Sequence, residues 1–355
     1  MTGLSRTTTN GRTTNGPCTP IPLGVYRGAA VDIGPIRDYE KNFLDNRAGT
    51  AVSYVLAFLP DDPVTWPQFE QATLAASTNG PPGTETATTW TPILDGRTLM
   101  LAVPACCLGT TWADEATGVN DAHWTALATT LVHGGLGRCV LRIAREFNGS
   151  WYPWQVTSAN AAAYQAGYAH IVQTMRAAGF AGTFMWNPYL GRGTFAAFSP
   201  PTGVESVYPL ADGPSGPDTI VDLIGLDVYD GPDPVNYPSG EVIRTPAQQQ
   251  AAWHGMLAQR DGLTGWRSLA VDHGKPLCYP EWGLRLWNDN YVYQGGGDNP
   301  IFILEMAAWL KNTQAHMHAF WEDPGMGVAD PDDLPRRLVA APNARSAFLG
   351  QFGYH

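Results

Sequence analysis

Residues 141–154 read LRIAREFNGSWYPW, and this stretch decides how the fold of the chain is interpreted. It begins as an apolar run typical of a buried strand and ends, after an Asn-Gly pair, in an aromatic loop. Burying a charge in a strand is costly unless the charge is paired, so Arg142 and Glu146 require an explanation beyond folding. Side chains alternate between the faces of a strand. We therefore expect Arg142, Ala144 and Glu146 to share one face, with Glu146 at the carboxyl end.

The pattern on either side of this stretch predicts an α/β fold, a single (β/α)8 TIM barrel with a short flexible N-terminal arm. Eight apolar runs are typical of strands and lie near residues 23–29, 51–59, 98–107, 139–147, 182–186, 221–229, 276–281 and 317–321. Helical patterns lie between or after them, near residues 36–46, 66–76, 121–133, 161–178, 246–259, 300–311 and 334–352. The alternative, a doubly wound sheet, is disfavoured because no GxGxxG motif opens a helix after the first run.

The N-terminal residues differ in composition from the rest. Residues 1–20 contain two near repeats, RTTTNG and RTTNG, and have no apolar centre. A secretory signal needs such a centre, so we interpret this segment as a flexible polar arm. Residues 21–355 are predicted to form one barrel domain, a length that commonly folds as a single unit.

The composition narrows the classes of partner. The chain has 355 residues and a net charge of −11. Nucleic acids and anionic membranes are bound largely through Lys and Arg, so we expect neither as a partner. No apolar run is long enough to span a membrane. Four cysteines, Cys106, Cys107, Cys139 and Cys278, are expected to be small buried hydrophobic residues. A disulfide bridge from Cys139 to Cys106 or Cys107 is left open.

Polar and aromatic side chains end five predicted strands in succession, at the barrel end where catalytic residues of this fold lie. The strand ends include Glu146, Asn187, Asp227, Glu281 and Trp321. Glu146 and Glu281 belong to the fourth and seventh strands and face each other roughly across the barrel mouth. Two carboxyl groups about 5–5.5 Å apart suit retaining hydrolysis of a glycosidic bond, one as acid/base and one as nucleophile. This chemistry requires no metal and no cofactor.

The neighbouring residues predict how the two acids differ. Arg142 is expected to lie one step deeper than Glu146 and to keep Glu281 ionised, while Tyr229 donates a hydrogen bond to the same carboxylate. The residues expected to bind substrate are Arg142, Arg145, Asn148, Trp151, Trp154, Trp186, Asp227, Tyr229, Trp282 and Trp321. Each of these residues, and each of the two glutamates, also has a structural interpretation, since strand-end glutamates often form surface ion pairs and tryptophans often belong to the core. The joint occurrence of these residues on consecutive strands favours a functional site over the structural interpretation.

The same residues resemble a known family. Residues 142–154 are similar to the fourth-strand motif of glycoside hydrolase family 26, the β-mannanase family, which reads approximately R-P-x-H-E-M-N-G-x-W-x-x-W. Residues 222–229, 275–283 and 342–345 resemble its sixth strand, its seventh strand and the start of its last helix. The resemblance implies a (β/α)8 barrel with Glu146 as acid/base and Glu281 as nucleophile. It also implies that Tyr229 bonds the nucleophile and that Trp151 and Trp321 border the cleaved bond.

One position departs from that motif, because Arg145 stands where the family has His. The position helps to bind the sugar beside the cleaved bond, so mannan, arabinan, xylan and other cell-wall glycans all stay open as the polysaccharide partner. An arginine there is expected to lower the pKa of Glu146 unless it points away. The polar arm and the opening residues 24–29 resemble tail-associated glycosidases of phages that infect actinobacteria. This predicts an extracellular or virion-associated protein, with the arm as a candidate attachment to virion or cell wall.

Two other functions compete with hydrolysis. The first is a barrel that grips glycan through Trp and Tyr without cleaving it, as an adhesion or tail component, and Arg145 is the feature that leaves it open. The second is a phosphate-handling barrel. It is disfavoured because the loops at residues 281–287 and 321–327 are acidic and aromatic rather than Gly-rich and cation-lined.

Overall fold

The computed structural model describes residues 21–26, 37, 39–44, 52–59, 66–70, 94–191, 193–197, 203–213, 216–230, 245–284, 297–321 and 341–353. Within these ranges the strands are β1 (Leu23–Tyr26), β2 (Val52–Phe58), β3 (Thr98–Val103), β4 (Val140–Ile143), β5 (Thr183–Trp186), β6 (Leu223–Gly225), β7 (Val228–Asp230), β8 (Leu277–Leu284) and β9 (Met317–Trp321).

These strands form one closed parallel barrel with eight positions. Neighbours in sequence pair in order from β1 to β6, and β9 pairs with both β1 and β8. β6 and β7 share the sixth position: β6 pairs with the start of β8 and β7 with its end. The predicted single strand at 221–229 is therefore divided, and the closed parallel ring confirms the (β/α)8 barrel.

The barrel interior is filled by side chains rather than left open. Seven of the nine strands contribute to a buried apolar cluster inside the ring, which consists of Leu56, Met100, Val140, Met185, Leu223, Cys278, Met317 and Ala319. On β1 the chain has Gly24, where a Cβ atom would lie 2.9 Å from the Cβ of Ala319 and 3.1 Å from that of Tyr54. The first strand thus approaches its neighbours too closely for a side chain, because the interior is already close-packed.

Helices cover the outside of the barrel. They are α1 (Trp66–Glu70), α2 (Trp112–Ala116), α3 (Asp121–His133), α4 (Ala161–Ala177), α5 (Pro246–Ala258), α6 (Leu263–Asp272), α7 (Pro300–Thr313) and α8 (Pro342–Phe352). A π-helical turn spans Tyr39–Phe43, and 3-10 turns span Cys107–Gly109, Gly193–Ala197 and Val204–Val207. Among the described helices, none has the length and apolar character needed to cross a membrane.

Local sequence signals account for the helix boundaries that were predicted well. α5 begins with a capping box in which the Thr245 side chain accepts from the Gln248 amide, and the Gln248 side chain accepts from the Thr245 amide. α3 has the predicted bounds, and α4 ends one residue early. The predicted last helix began at residue 334, but the described helix begins at Pro342, and residues 334–340 lie outside the described part of the chain.

Two further predictions are resolved by the fold. Cys106, Cys107, Cys139 and Cys278 are buried free thiols, so the bridge from Cys139 to Cys106 or Cys107 is not formed. Their burial confirms the prediction that they act as small hydrophobes. The polar arm at residues 1–20 lies outside the described residues.

Candidate active site

Arg142 is the centre of the candidate site. It lies on β4 two residues after Val140, so both side chains point into the barrel, and it has no exposed surface. Its Nη2 atom donates to Asp227 Oδ2 at 2.8 Å and to Glu281 Oε1 at 2.6 Å. Its Nε atom donates to Asn187 Oδ1 at 2.5 Å. The charge that the sequence places inside a strand is therefore paired with two carboxylates, as burial demands.

Glu281 lies on β8 and is bonded through both carboxylate oxygens. Arg142 donates to Oε1, and the Tyr229 hydroxyl donates to Oε2 at 2.8 Å. Burial raises the pKa of Tyr229, and the nearby negative charges of Glu281 and Asp227 raise it further, so the hydroxyl keeps the proton that it donates. Both predicted partners of Glu281 are confirmed. Both oxygens of the Glu281 carboxyl group are therefore held in place by buried donors.

Glu146 reaches the site by a different route from the one predicted. β4 ends at Ile143, and both Ala144 and Glu146 have φ values of 51°. The alternation expected over Arg142, Ala144 and Glu146 is therefore wrong, because left-handed residues break the period of a strand. The Glu146 amide donates to the Asn187 carbonyl at 2.6 Å, which holds this turn against the end of β5. Its Oε2 accepts from Trp151 Nε1 at 3.2 Å.

Three carboxylates converge here, with one oxygen each of Glu146, Asp227 and Glu281 lying within 4.8 Å of one another. Burial raises the pKa of Glu146 to about 7, and the charge of Glu281 adds to the shift. Burial also raises the pKa of Asp227 above its ordinary value, against the opposing pull of Arg142. The spacing of the three oxygens would also suit a cation, but Arg142 already places a positive charge between Asp227 and Glu281.

Arg145 is held away from bulk solvent between two rings. Its guanidinium carbon lies 4.6 Å from the centre of the Phe58 ring and 4.8 Å from that of Tyr152, and Nη2 donates to the Tyr152 hydroxyl at 2.8 Å. Its charge lowers the pKa of Glu146, as expected from the sequence. Burial and Glu281 outweigh it, so the net shift is upward.

Two of the predicted tryptophans have surface at the site. Trp151 is 54% exposed, bonds Glu146, and lies 5.1 Å from the Tyr189 ring, centre to centre. Trp321 is half-buried and stacks on Tyr26 at 4.0 Å with an interplanar angle of 18°. It also lies edge-on to Tyr229, whose hydroxyl bonds Glu281. Exposed aromatic faces beside carboxylates are a common basis for sugar stacking.

The other three tryptophans are in the core, and their positions correct the expectation that they contact substrate. Trp186 has no exposed surface and donates to the Tyr164 hydroxyl at 2.7 Å. Trp282 is equally buried and donates to His318 Nδ1 at 3.1 Å. Trp154 donates to the Arg145 carbonyl at 2.8 Å. In this conformation none presents a face to a ligand, because burying so large an apolar area stabilises the barrel instead.

Asn148 is likewise a structural residue rather than an exposed sugar contact. It is fully buried, accepts from the Tyr189 amide through Oδ1, and donates through Nδ2 to the carbonyls of Tyr189 and Gly191. The Asn148 carbonyl lies so close to Gly193 that a Cβ atom there would be 1.8 Å from it. Asn148 therefore fixes the loop after β5 against the loop after β4.

Sequence reasoning missed several residues that build the site. Asn187 was recognised only as a strand end, although it bonds Arg142 and Asp227. Three aromatic residues beside the site were not predicted, Tyr26, Phe58 and Tyr189, and Tyr152 was predicted only as part of the aromatic loop. Position at or just after a strand end was the signal available for Tyr26, Phe58 and Asn187, and the aromatic loop was the signal for Tyr152.

Comparison with known sequences finds no match: no protein-family model fits the chain, and no curated protein is similar to it. Solved structures are similar over most of its length. An endo-β-1,4-mannanase double mutant from Cellulomonas fimi is 17% identical, with a TM-score of 0.59 over 94% of this chain and 70% of the other. The fold is shared.

Two further structures carry family 26 in their descriptions. The catalytic domain of an endo-β-1,4-mannanase from Bacillus sp. JAMB-750 is 15% identical, with a TM-score of 0.58 over 94% of this chain and 85% of that one. A β-mannanase from Bacteroides ovatus is 15% identical, with a TM-score of 0.52 over 94% of this chain and 93% of that one. At such identities the likeness establishes the (β/α)8 barrel, and the chemistry has to be argued from the site.

Proposed function

We propose that the chain is a retaining glycoside hydrolase that cleaves a polysaccharide within its length. One observation carries the proposal: carboxylate oxygens of Glu146 and Glu281 lie within 4.8 Å of each other in opposite environments. Glu281 accepts hydrogen bonds from Arg142 and Tyr229, which hold its carboxyl group in a fixed direction. Burial and repulsion raise the pKa of Glu146 to about 7, which favours a proton near neutral pH. Pairs of acids pushed apart in this way divide the roles of nucleophile and acid.

In the first step Glu281 attacks the anomeric carbon of the bound sugar. The bond from that carbon to the glycosidic oxygen breaks as a bond to a Glu281 oxygen forms. The Glu146 carboxyl donates its proton to the departing oxygen, so the leaving chain departs as an alcohol and Glu146 becomes a carboxylate. The negative charge of Glu281 is consumed in the new ester.

In the second step water hydrolyses this ester. Glu146, now a carboxylate, takes a proton from water while the water oxygen bonds the anomeric carbon and Glu281 leaves. Two displacements at one carbon restore the starting anomeric configuration, and both acids return to their initial protonation states. Proximity favours this sequence because Glu146 and Glu281 are already within reach of one atom.

Further support comes from the neighbours in structure, which are described as endo-β-1,4-mannanases and share the barrel. Endo action on a mannan is therefore the first substrate to test. Arabinan, xylan and other cell-wall glycans belong in the same test, because Arg145 replaces the histidine of the family motif. An extracellular or virion-associated location accompanies the proposal, since such polysaccharides lie outside the cell.

The proposal is tested by release of reducing ends from a panel of mannan, arabinan, xylan and other bacterial cell-wall glycans. The sugar identified is then made into a dinitrophenyl oligosaccharide, and azide is added to Glu146→Ala and Glu281→Ala. Azide should restore turnover in both variants. In Glu146→Ala, Glu281 first forms the ester and azide then displaces it, so two displacements should give a glycosyl azide of retained configuration. In Glu281→Ala, azide attacks the sugar directly, so one displacement should give the inverted configuration.

The competing function predicts a different outcome. A barrel that only grips glycan would bind members of the panel through Trp151 and Trp321 and release no reducing ends. That result, or full activity of Glu281→Ala, would overturn the assignment of a hydrolase. Inverted products from the unaltered protein would retain the enzyme but overturn the role of Glu281 as nucleophile.

A further inference from the structure

Asn187 follows β5 directly and has no exposed surface. Its side chain faces two charged partners of opposite sign. Oδ1 accepts from Arg142 Nε at 2.5 Å, and Nδ2 donates to Asp227 Oδ1 at 3.1 Å. Nδ2 also donates to the Pro188 carbonyl at 3.1 Å. Toward the site, the Asn187 amide therefore bonds Arg142 through its oxygen and Asp227 through its nitrogen.

The backbone of the same residue holds the other acid. The Asn187 carbonyl accepts from the Glu146 amide at 2.6 Å, at the point where Glu146 has a φ of 51°. The residues that follow are bonded to the sixth barrel position, since the Asp227 amide donates to the Pro188 carbonyl and the Leu190 amide donates to the Asp227 carbonyl. Asn187 thus joins the Glu146 turn to the short segment between β6 and β7 that supplies Asp227.

We propose that Asn187 is a positioning residue. Its side chain directs Arg142 toward Glu281, and its backbone carbonyl holds the Glu146 turn at the end of β5. The guanidinium of Arg142 is planar and rigid, so fixing its Nε direction also fixes where Nη2 points. Nη2 is the atom that bonds both Asp227 and Glu281. The effect expected on the rate rests on the proposed hydrolase, whereas the effect expected on the position of Arg142 rests on these contacts alone.

An amide is suited to this position for a chemical reason. A carboxylate here would accept from Arg142 but would repel Asp227 at 3.1 Å, and an aliphatic group would leave Arg142 Nε buried without an acceptor. Asparagine supplies one acceptor and one donor without adding charge. Its side chain and its backbone also act on different acids, so substituting the side chain separates the two effects.

The test is the pH dependence of kcat/KM for Asn187→Leu. Loss of the amide loosens Arg142 from Glu281, so the acidic limb should move upward, with kcat about 10- to 100-fold lower. The basic limb should move less than the acidic limb, because the backbone carbonyl that bonds the Glu146 amide is kept. A residue with a merely structural role would lower activity without shifting the acidic limb.

A second variant and a matched control protect the test against misfolding. Asn187→Asp has the same size and keeps an acceptor for Arg142, and its added charge should raise the acidic limb by at least as much. Asn120→Leu removes another buried amide, one that donates to Glu115 Oε1 outside the site, and should leave both limbs in place. Both limbs at their original positions in Asn187→Leu and Asn187→Asp would overturn the proposal.

A measurement without turnover separates this proposal from the proposed function. The side-chain carboxyl carbons of glutamate, labelled with 13C, are titrated by NMR in the unaltered protein and in Asn187→Leu, with Glu281→Gln used for assignment. The carboxyl-carbon signal of Glu281 should change more between the unaltered protein and Asn187→Leu than that of Glu146, because Arg142 donates directly to Glu281. If no glycan is hydrolysed but this shift is seen, the hydrolase fails and the positioning role stands. If glycan is hydrolysed but the titration is unchanged, the positioning role fails alone.

Discussion

The two halves of the site are built by opposite means. Glu281 lies on a regular strand and both of its oxygens accept from buried donors, Arg142 and Tyr229. Glu146 lies three residues beyond the end of its strand, on a left-handed residue, and its one side-chain donor among the described residues is the exposed Trp151. One acid is controlled by direct partners, and the other mainly by its surroundings.

This difference shows how one barrel places two glutamates in different electrostatic environments. Direct donors stabilise the charged form of a carboxyl, whereas burial and a nearby like charge stabilise its neutral form. The ionised Glu281 itself contributes to the raised pKa of Glu146. The two halves are therefore coupled, and each can be broken separately by substitution.

Removing the cation that bonds Glu281 should have the largest effect on stability and on the rate of hydrolysis. Arg142→Met leaves Asp227 and Glu281 buried without their shared cation, so we expect the free energy of unfolding to fall by about 3–5 kcal/mol. The rate of hydrolysis should fall by about 10²–10³-fold. Urea denaturation and initial rates measure the two effects.

Arg176→Met is the matched control for this prediction. Arg176 pairs with Asp222 at 3.0 Å, but the two side chains are 34% and 37% exposed, so the pair is solvent-screened. Its loss should change the free energy of unfolding by less than about 1 kcal/mol. Equal losses in the two variants would contradict the description of Arg142 as the buried centre of the site.

Neutralising Glu146 should stabilise the protein, in a way that depends on pH. The fold raises the pKa of Glu146 from 4.5 to about 7, so the folded state holds this proton more tightly than the unfolded state does. Stability therefore falls as pH rises from 4.5 to 7. Glu146→Gln should be more stable than the unaltered protein by up to about 3 kcal/mol at pH 8, relative to their difference at pH 4.

Thermal or urea unfolding of both proteins across this pH range tests the prediction, and groups outside the site cancel in the difference. The comparison also checks the assignment of the proton donor. A stability difference that is constant between pH 4 and pH 8 would mean that Glu146 titrates as an ordinary surface carboxyl.

A smaller change sharpens the description of Glu281. Tyr229→Phe removes the hydroxyl that donates to Oε2 while Arg142 continues to bond Oε1. A hydrogen bond to a charged group contributes about 1.5–3 kcal/mol, so kcat/KM should fall at least about tenfold and its acidic limb should move upward. If only the basic limb moves, the hydroxyl acts on Glu146 instead.

The smallest expected effect concerns the exposed partner of the other acid. Trp151→Phe keeps an aromatic face but removes the indole N–H that bonds Glu146, a contact that lowers the pKa of this group. The basic limb of kcat/KM should therefore move upward, by less than about one pH unit for an exposed hydrogen bond. An unchanged KM would separate this effect from loss of sugar stacking, and a downward shift would contradict it.

The sequence allowed the barrel and the centre of the site to be predicted because both follow from short-range rules. Alternation along β4 turns Val140 and Arg142 inward, and burial of a charge then requires acidic partners such as Asp227 and Glu281. Strand ends of a parallel barrel meet at one face, which brought Tyr229 into the prediction. These inferences need only the period of a strand and the sign of a charge.

The remainder depends on where regular structure stops. Nothing in the sequence ARE at residues 144–146 marks two left-handed backbones, so Glu146 was assigned to the wrong element although its place at the mouth was right. Trp151 and Trp154 are three residues apart in one loop, yet one is exposed and the other buried. Their difference comes from packing between elements, as with the bond from Trp154 to the Arg145 carbonyl, which residue type alone does not encode.

The inward row on β4 has a consequence for engineering. Val140 belongs to the apolar filling of the barrel, and Arg142, two residues on, belongs to the ionic cluster, so the scaffold and its reactive end are continuous. Replacing Arg142, Asp227 and Glu281 together by well-packed aliphatic residues should give a more stable barrel that has lost the ionic cluster and the proposed nucleophile. Selection for thermal stability alone would therefore favour variants without the ionic cluster. A screen for stable variants has to measure turnover as well.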